Sequence, residues 1–160
     1  MKIKFDGWSR NAWYPAGPDL KHEEEFPNAK KSDGGRAFSG CGRIYVSEGA
    51  KWKRALYWHE RGHCLLFEAG KHKKLVSSNQ EEIRADEVAE IMTSTRQVLG
   101  MLVMLLRRVP RVAVHEIVQR INAVVDRHPV ESLKALERMP RSTRLAAIVN
   151  PLKEKYYGML

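Results

Sequence analysis

Residues 59 to 63 read His-Glu-Arg-Gly-His, two histidines four positions apart with a glutamate directly after the first. On an α-helix, positions i and i+4 share a face, so His59 and His63 can present imidazole nitrogens to a single ion. Glu60 turns partly away from that face and sits beside the ion without ligating it. That is where a general base for a zinc-activated water is needed. Two histidines do not complete a site, and residues 79 to 90, NQEEIRADEVAE, supply the rest. Glu82 and Asp86 are again four apart. Glu82 can reach the ion while Asp86 reaches the free ring nitrogen of a ligating histidine, fixing its tautomer. Ala85, between them, is small enough to let two helices approach closely at the ion.

HERGH followed after 18 intervening residues by Glu-Ile-Arg-Ala-Asp resembles the gluzincin metallopeptidases, in which HExxH precedes ExxSD or ExxAD. Thermolysin-like and HtpX-like proteases and the minigluzincins carry this pattern. The resemblance spans residues 42 to 89. It implies one Zn2+ per chain held by His59, His63 and Glu82, with Glu60 as catalytic base, Asp86 as the orienting carboxylate, and a protein or peptide substrate. It also implies a substrate-binding edge strand before the first motif helix, and Arg43, Ile44, Tyr45 and Val46 stand in that place. An oxyanion donor from the C-terminal part completes such sites, with His115, His128, Tyr156 and Tyr157 as candidates. No metzincin-type third histidine follows the motif.

These residues need elements to hold them. GRIYVS, residues 42 to 47, has strand propensity and feeds a helix expected over residues 51 to 69, with Gly70 as its stop. Ser78 stands three residues before Glu81, a capping-box pattern opening a second helix. The spacing of Ile83, Ile91, Met92, Thr95, Leu99, Leu102 and Leu106 continues that helix to Arg108, with a bend at Gly100 and an end at Pro110. Three shorter apolar stripes follow, around Val114 to Val125, Val130 to Met139 and Leu145 to Val149, punctuated by Pro129, Pro140 and Pro151. Residues 1 to 41 are turn-rich, and Trp8, Trp13, Tyr14 and Phe26 would tack them to the body. The expected fold is α+β, a small edge-strand sheet packed on the HExxH helix and a second ligand-bearing helix, with a mainly helical C-terminal portion. In this reading the 160 residues form one domain, with an irregular segment 1–41, a metallopeptidase core 42–108 and a helical portion 109–160.

Composition narrows the setting. Cys41 and Cys64 are far apart and outside any CxxC pattern, which fits a reducing compartment. No apolar stretch of signal-peptide length opens the chain. The longest apolar run, Val98 to Leu106, falls well short of the roughly 20 residues that span a bilayer, so a cytoplasmic protein with no membrane span is expected. The net charge of +9 could attract nucleic acid. The cations are spread along the whole chain, however, which favours a solvated basic surface. The rival to a peptidase is a basic nucleic-acid-associated or phage-type structural protein carrying a zinc site without proteolytic activity.

Overall fold

The computed structural model describes residues 12–15, 35–37, 43–46, 51–68 and 78–159. From residue 51 onward, the described residues include six α-helices: α1 Lys53–Glu68, α2 Ser78–Met92, α3 Thr95–Arg108, α4 Val114–Arg127, α5 Pro129–Glu137 and α6 Thr143–Tyr156. The hydrophobic core runs through all of them, from Ala55 to Leu152, and every residue in it belongs to a helix. The metallopeptidase core and the C-terminal portion anticipated on either side of residue 108 therefore share one apolar interior.

The expectation of an α+β fold built on a sheet edge is overturned. The described body from residue 51 onward contains no strand. The strands before it are β1 Ala12–Pro15, β2 Gly35–Ala37 and β3 Arg43–Val46, whose backbones pair antiparallel in the order β1-β3-β2. Tyr45 faces Trp13 on one side and Arg36 on the other. Arg43, Ile44, Tyr45 and Val46 thus form the middle strand and not an edge. Both sides of β3 are engaged in ladders, so this strand offers no free edge to an incoming peptide. Strands as short as Ala12–Pro15 and Gly35–Ala37 leave no alternation in the sequence long enough to read. Cys41, Gly70 and most of residues 1 to 41 lie outside the described residues.

The long second helix is in fact two. Ser94 breaks it with extended backbone at φ −168° and ψ 158°, and its side chain accepts a hydrogen bond from the Gln97 amide. The Ser-x-x-Gln spacing of residues 94 to 97 is itself a helix-start pattern, here overridden in a reading of apolar periodicity alone. α3 becomes the innermost helix: Val98, Leu99, Met101, Leu102 and Leu106 are fully buried. The apolar run of the sequence is thus core, and no described helix is long and apolar enough to cross a membrane. Arg144 of α6 donates to the Leu106 and Val109 carbonyls at 2.8 and 2.9 Å, satisfying carbonyl groups at the end of α3. Pro151 lies inside α6 and does not end it. The cost of its missing amide hydrogen is met by the burial of Leu145, Ile148, Val149 and Leu152.

Gly100 lies within α3, which is continuous across it. It makes room for Trp52, which precedes α1 with a left-handed φ of 59°. That backbone costs a bulky residue on the order of 1–3 kcal/mol, offset by laying the indole directly on the α3 backbone. A Cβ at position 100 would land well inside the van der Waals envelope of the Trp52 ring. Gly100→Ala is therefore expected to destabilise the fold by about 1–3 kcal/mol through overpacking. In an open helix the same change would stabilise by roughly 0.5–1 kcal/mol, so the sign in a urea titration followed by tryptophan emission decides the matter.

Candidate metal centre

α1 carries the histidines because Leu56, His59 and His63 recur at helical spacing along the face that meets α2. The two helices approach at Gly62 and Ala85. A Cβ on Gly62 would come 2.9 Å from the Ala85 Cα and 3.0 Å from its carbonyl oxygen, so only glycine fits there. Ala85 works as the small residue anticipated for it, and Gly62, the fourth residue of HERGH, is its counterpart. This approach brings Glu82 and Asp86 on α2 level with the two imidazoles.

His59 Nε2 and His63 Nε2 lie 3.2 Å apart. Glu82 faces both, with Oε2 3.1 Å from His59 Nε2 and Oε1 3.2 Å from His63 Nε2. The other ring nitrogens are turned outward to carboxylates. His59 Nδ1 donates to Asp86 Oδ1 at 2.8 Å, and His63 Nδ1 donates to Glu81 Oε1 at 3.0 Å. With each Nδ1 so held, both Nε2 lone pairs can converge on one point. Tetrahedral ligands about 2.0–2.1 Å from an ion are spaced roughly 3.3 Å from one another, within a few tenths of an ångström of what these three side chains show. His59, His63 and Glu82 thus form a group that can hold a metal ion. The side chains grade from interior to solvent, Asp86 1%, His59 7%, His63 18% and Glu82 36% exposed, so the Glu82 side is the way in.

Arg120 of α4, which the sequence reading passed over, closes the constellation from behind. Its Nε and Nη2 donate to the two Asp86 oxygens, each at 2.8 Å, and its Nη1 stands 3.1 Å from Glu82 Oε2. Arg120 and Asp86 are both buried, and a buried carboxylate needs such a partner. One signal could have found it: Arg120 falls three residues after Ile117 and four before Val124, inside the apolar stripe of α4. A charge in such a stripe marks a buried ion pair. A second pair, Arg127 Nε and Nη2 to Glu90 Oε2 at 3.0 and 2.8 Å, ties α4 to α2 further along, with Thr95 donating to Glu90 Oε1 at 2.9 Å. Glu81, read as half of a capping box, was the other residue missed as a support for His63.

Neither a protein-family model nor a curated protein nor a solved structure matches this chain. The centre is defined by its own geometry. Glu60 is half-buried and close enough for its charge to act on both His63 and Arg120. Cys64, next to His63, forms no disulfide and is wholly buried in the hydrophobic core. The four residues considered as oxyanion donors have other settings. His115 pairs with Gln119 at 2.9 Å, His128 stands 3.5 Å from Glu90, the Tyr156 hydroxyl donates to Asp126, and Tyr157 is exposed.

Electrostatics make the centre a place where protons and a cation compete. Burial disfavours a charge on His59, but the Asp86 and Glu82 carboxylates outweigh it and push its pKa up to about 10. His63 is raised in the same way, burial being overcome chiefly by Glu82. Burial would raise the Asp86 carboxyl, yet Arg120 and His59 hold it below the ordinary range, and the two histidines do the same to Glu82. In the metal-free protein the His59 proton contributes stability fully present below its unfolded pKa near 6.5 and lost as pH rises through about 10. A divalent ion must displace that proton. Metal uptake at neutral pH is therefore expected to release at least about one proton per ion and to tighten with rising pH. Calorimetry in buffers of different ionisation enthalpy reads the release directly, and a heat independent of buffer would contradict it.

Removing the guanidinium separates support from ligation. Arg120→Ala, which strands Asp86 in the interior, is expected to cost about 3–5 kcal/mol of stability and to weaken metal binding about 10- to 100-fold. Arg120→Lys, which keeps the charge without the fork, should recover part of the stability but still bind metal more weakly. Unfolding curves and competition with a fluorescent chelator measure the two effects.

Proposed function

We propose that this chain is a zinc-dependent peptidase of gluzincin type, holding one zinc per chain and working in the cytoplasm. The observation that carries the reading is the convergence of His59 Nε2, His63 Nε2 and Glu82 on one point, with a carboxylate behind each imidazole. Two imidazoles and a carboxylate are the donor set of a catalytic zinc site that keeps a position open for water or substrate. Zinc supplies Lewis acidity there, making water a nucleophile near neutral pH and polarising a carbonyl oxygen.

The chain's own residues do the remainder. Asp86 and Glu81 hold the protons of His59 and His63 on Nδ1, so that both Nε2 atoms stay free to ligate. Arg120 keeps Asp86 ionised and steadies Glu82. Glu60, adjacent to a ligand and half-buried, takes a proton from the attacking water and delivers it to the departing amine nitrogen. Substrate enters over the exposed side of Glu82, and β3 has no part in seating it. That Cys64 forms no disulfide fits a reducing compartment.

Glu60→Gln is expected to keep about one zinc per chain and lose hydrolysis of an unstructured peptide by a factor of about 100 or more. His63→Ala and Glu82→Ala should lose or weaken the zinc itself. Metal-to-protein ratios by mass spectrometry, run beside a peptide-cleavage assay, distinguish these cases. Undiminished cleavage by Glu60→Gln would refute the assigned base, and a zinc-loaded wild type that cleaves no peptide in a broad library would refute the peptidase reading.

A further inference from the structure

We infer that the end of the helical body where α3 and α5 finish is a binding surface for the phosphate backbone of nucleic acid. It is independent of the metal centre. The sequence contains no acidic residue between Glu90 and Glu116, and none between Glu137 and Glu154. These two acid-free stretches hold the turns RRVPR, residues 107 to 111, and RMPRSTR, residues 138 to 144. Far apart in sequence, the turns are joined in space. Arg107 donates to the Pro140 carbonyl, and Arg144 donates to the Leu106 and Val109 carbonyls at 2.8 and 2.9 Å. Lys51 lines the same cleft, of about 180 Å³, together with Arg107, Arg108 and Pro140.

The result is a concentration of charge that scattered cations in the sequence do not reveal. Lys51, Arg107, Arg108, Arg111, Arg138 and Arg141 are all exposed. The nearest acid on α5, Glu137, is engaged by Lys153 of α6. Pro110 and Pro140 stiffen the turns, and the hydrogen bonds between them set their spacing before any partner arrives, which lowers the cost of binding. The chemistry favours phosphate. Five of the six cations are arginines, whose planar fork pairs with phosphate oxygens in two-point contacts. A membrane surface would be met by an apolar face as well as cations. Among the described residues, the exposed large hydrophobic next to these turns in sequence is Val112.

The test is equilibrium binding of the full chain to a short fluorescent DNA duplex, by anisotropy, over a range of salt concentrations. One variant combines Arg111→Ala, Arg138→Ala and Arg141→Ala. A control of equal net charge combines Arg84→Ala, Arg96→Ala and Lys155→Ala, exposed cations placed elsewhere. Arg96, for instance, is at the other end of α3, about 16 Å from Arg107 by helical rise. Thermal unfolding of both variants verifies that they fold. The patch variant is expected to bind at least about tenfold more weakly and to flatten the slope of log affinity against log salt by about 2.7, roughly 0.9 per lost phosphate contact. The control should change affinity by less than about threefold. Equal losses in the two variants would overturn the assignment in favour of diffuse attraction. So would a wild type that binds no duplex at low salt, or one that binds phosphatidylglycerol vesicles and not DNA. Zinc content and peptide cleavage, measured on the same samples, should be unchanged in both variants.

Discussion

The buried pairing of Arg120 with Asp86 is the interaction on which the rest of this structure turns. Two opposite charges are taken out of water together, and neither could remain there alone. The pair gains its place by acting in two directions. Toward the core it locks α4 against α2, and toward the surface it presents a fixed carboxylate to His59 Nδ1. His59 is thereby oriented before any ion arrives, and Glu82 is steadied by the same guanidinium. Two histidines on a helix can hold a metal ion together only when something behind them decides which nitrogen each presents to it.

The packing serves the same constraint. α1 and α2 come close enough for ligands from both to meet because Gly62 and Ala85 remove the side chains that would hold them apart. α3 passes beneath them as a nearly all-apolar helix, and Trp52, set on Gly100 in a strained conformation, anchors the start of α1 to it. The C-terminal helices are part of this frame. α4 supplies Arg120 from the stripe that also buries Ile117, Ile121 and Val124, so the site extends past the residues a local motif can name. At the opposite extreme of exposure, the turns after α3 and α5 gather arginines, with Glu137, the nearest acid on α5, engaged by Lys153.

The grouping of His59, His63, Glu82 and Asp86 was legible in the sequence because helical periodicity is local: residues four apart share a face in any α-helix, whatever surrounds it. For the same reason the stripes of α4, α5 and α6 announced themselves, as did the small residue at position 85. The break at Ser94 was legible too, in its spacing to Gln97, but continuous apolar periodicity across it concealed the cap. The edge-strand reading failed at a different level. Whether Arg43 to Val46 lies at a margin or in the middle depends on partners supplied by Ala12–Pro15 and Gly35–Ala37, and strand pairing is non-local. What only the tertiary structure decided is likewise non-local. The union of Arg120 with Asp86 spans 34 residues, and the meeting of two arginine-rich turns spans a similar separation. Local spacing dictates which side chains share a helix face, whereas the burial that makes a charge pair obligatory exists only once the helices have packed.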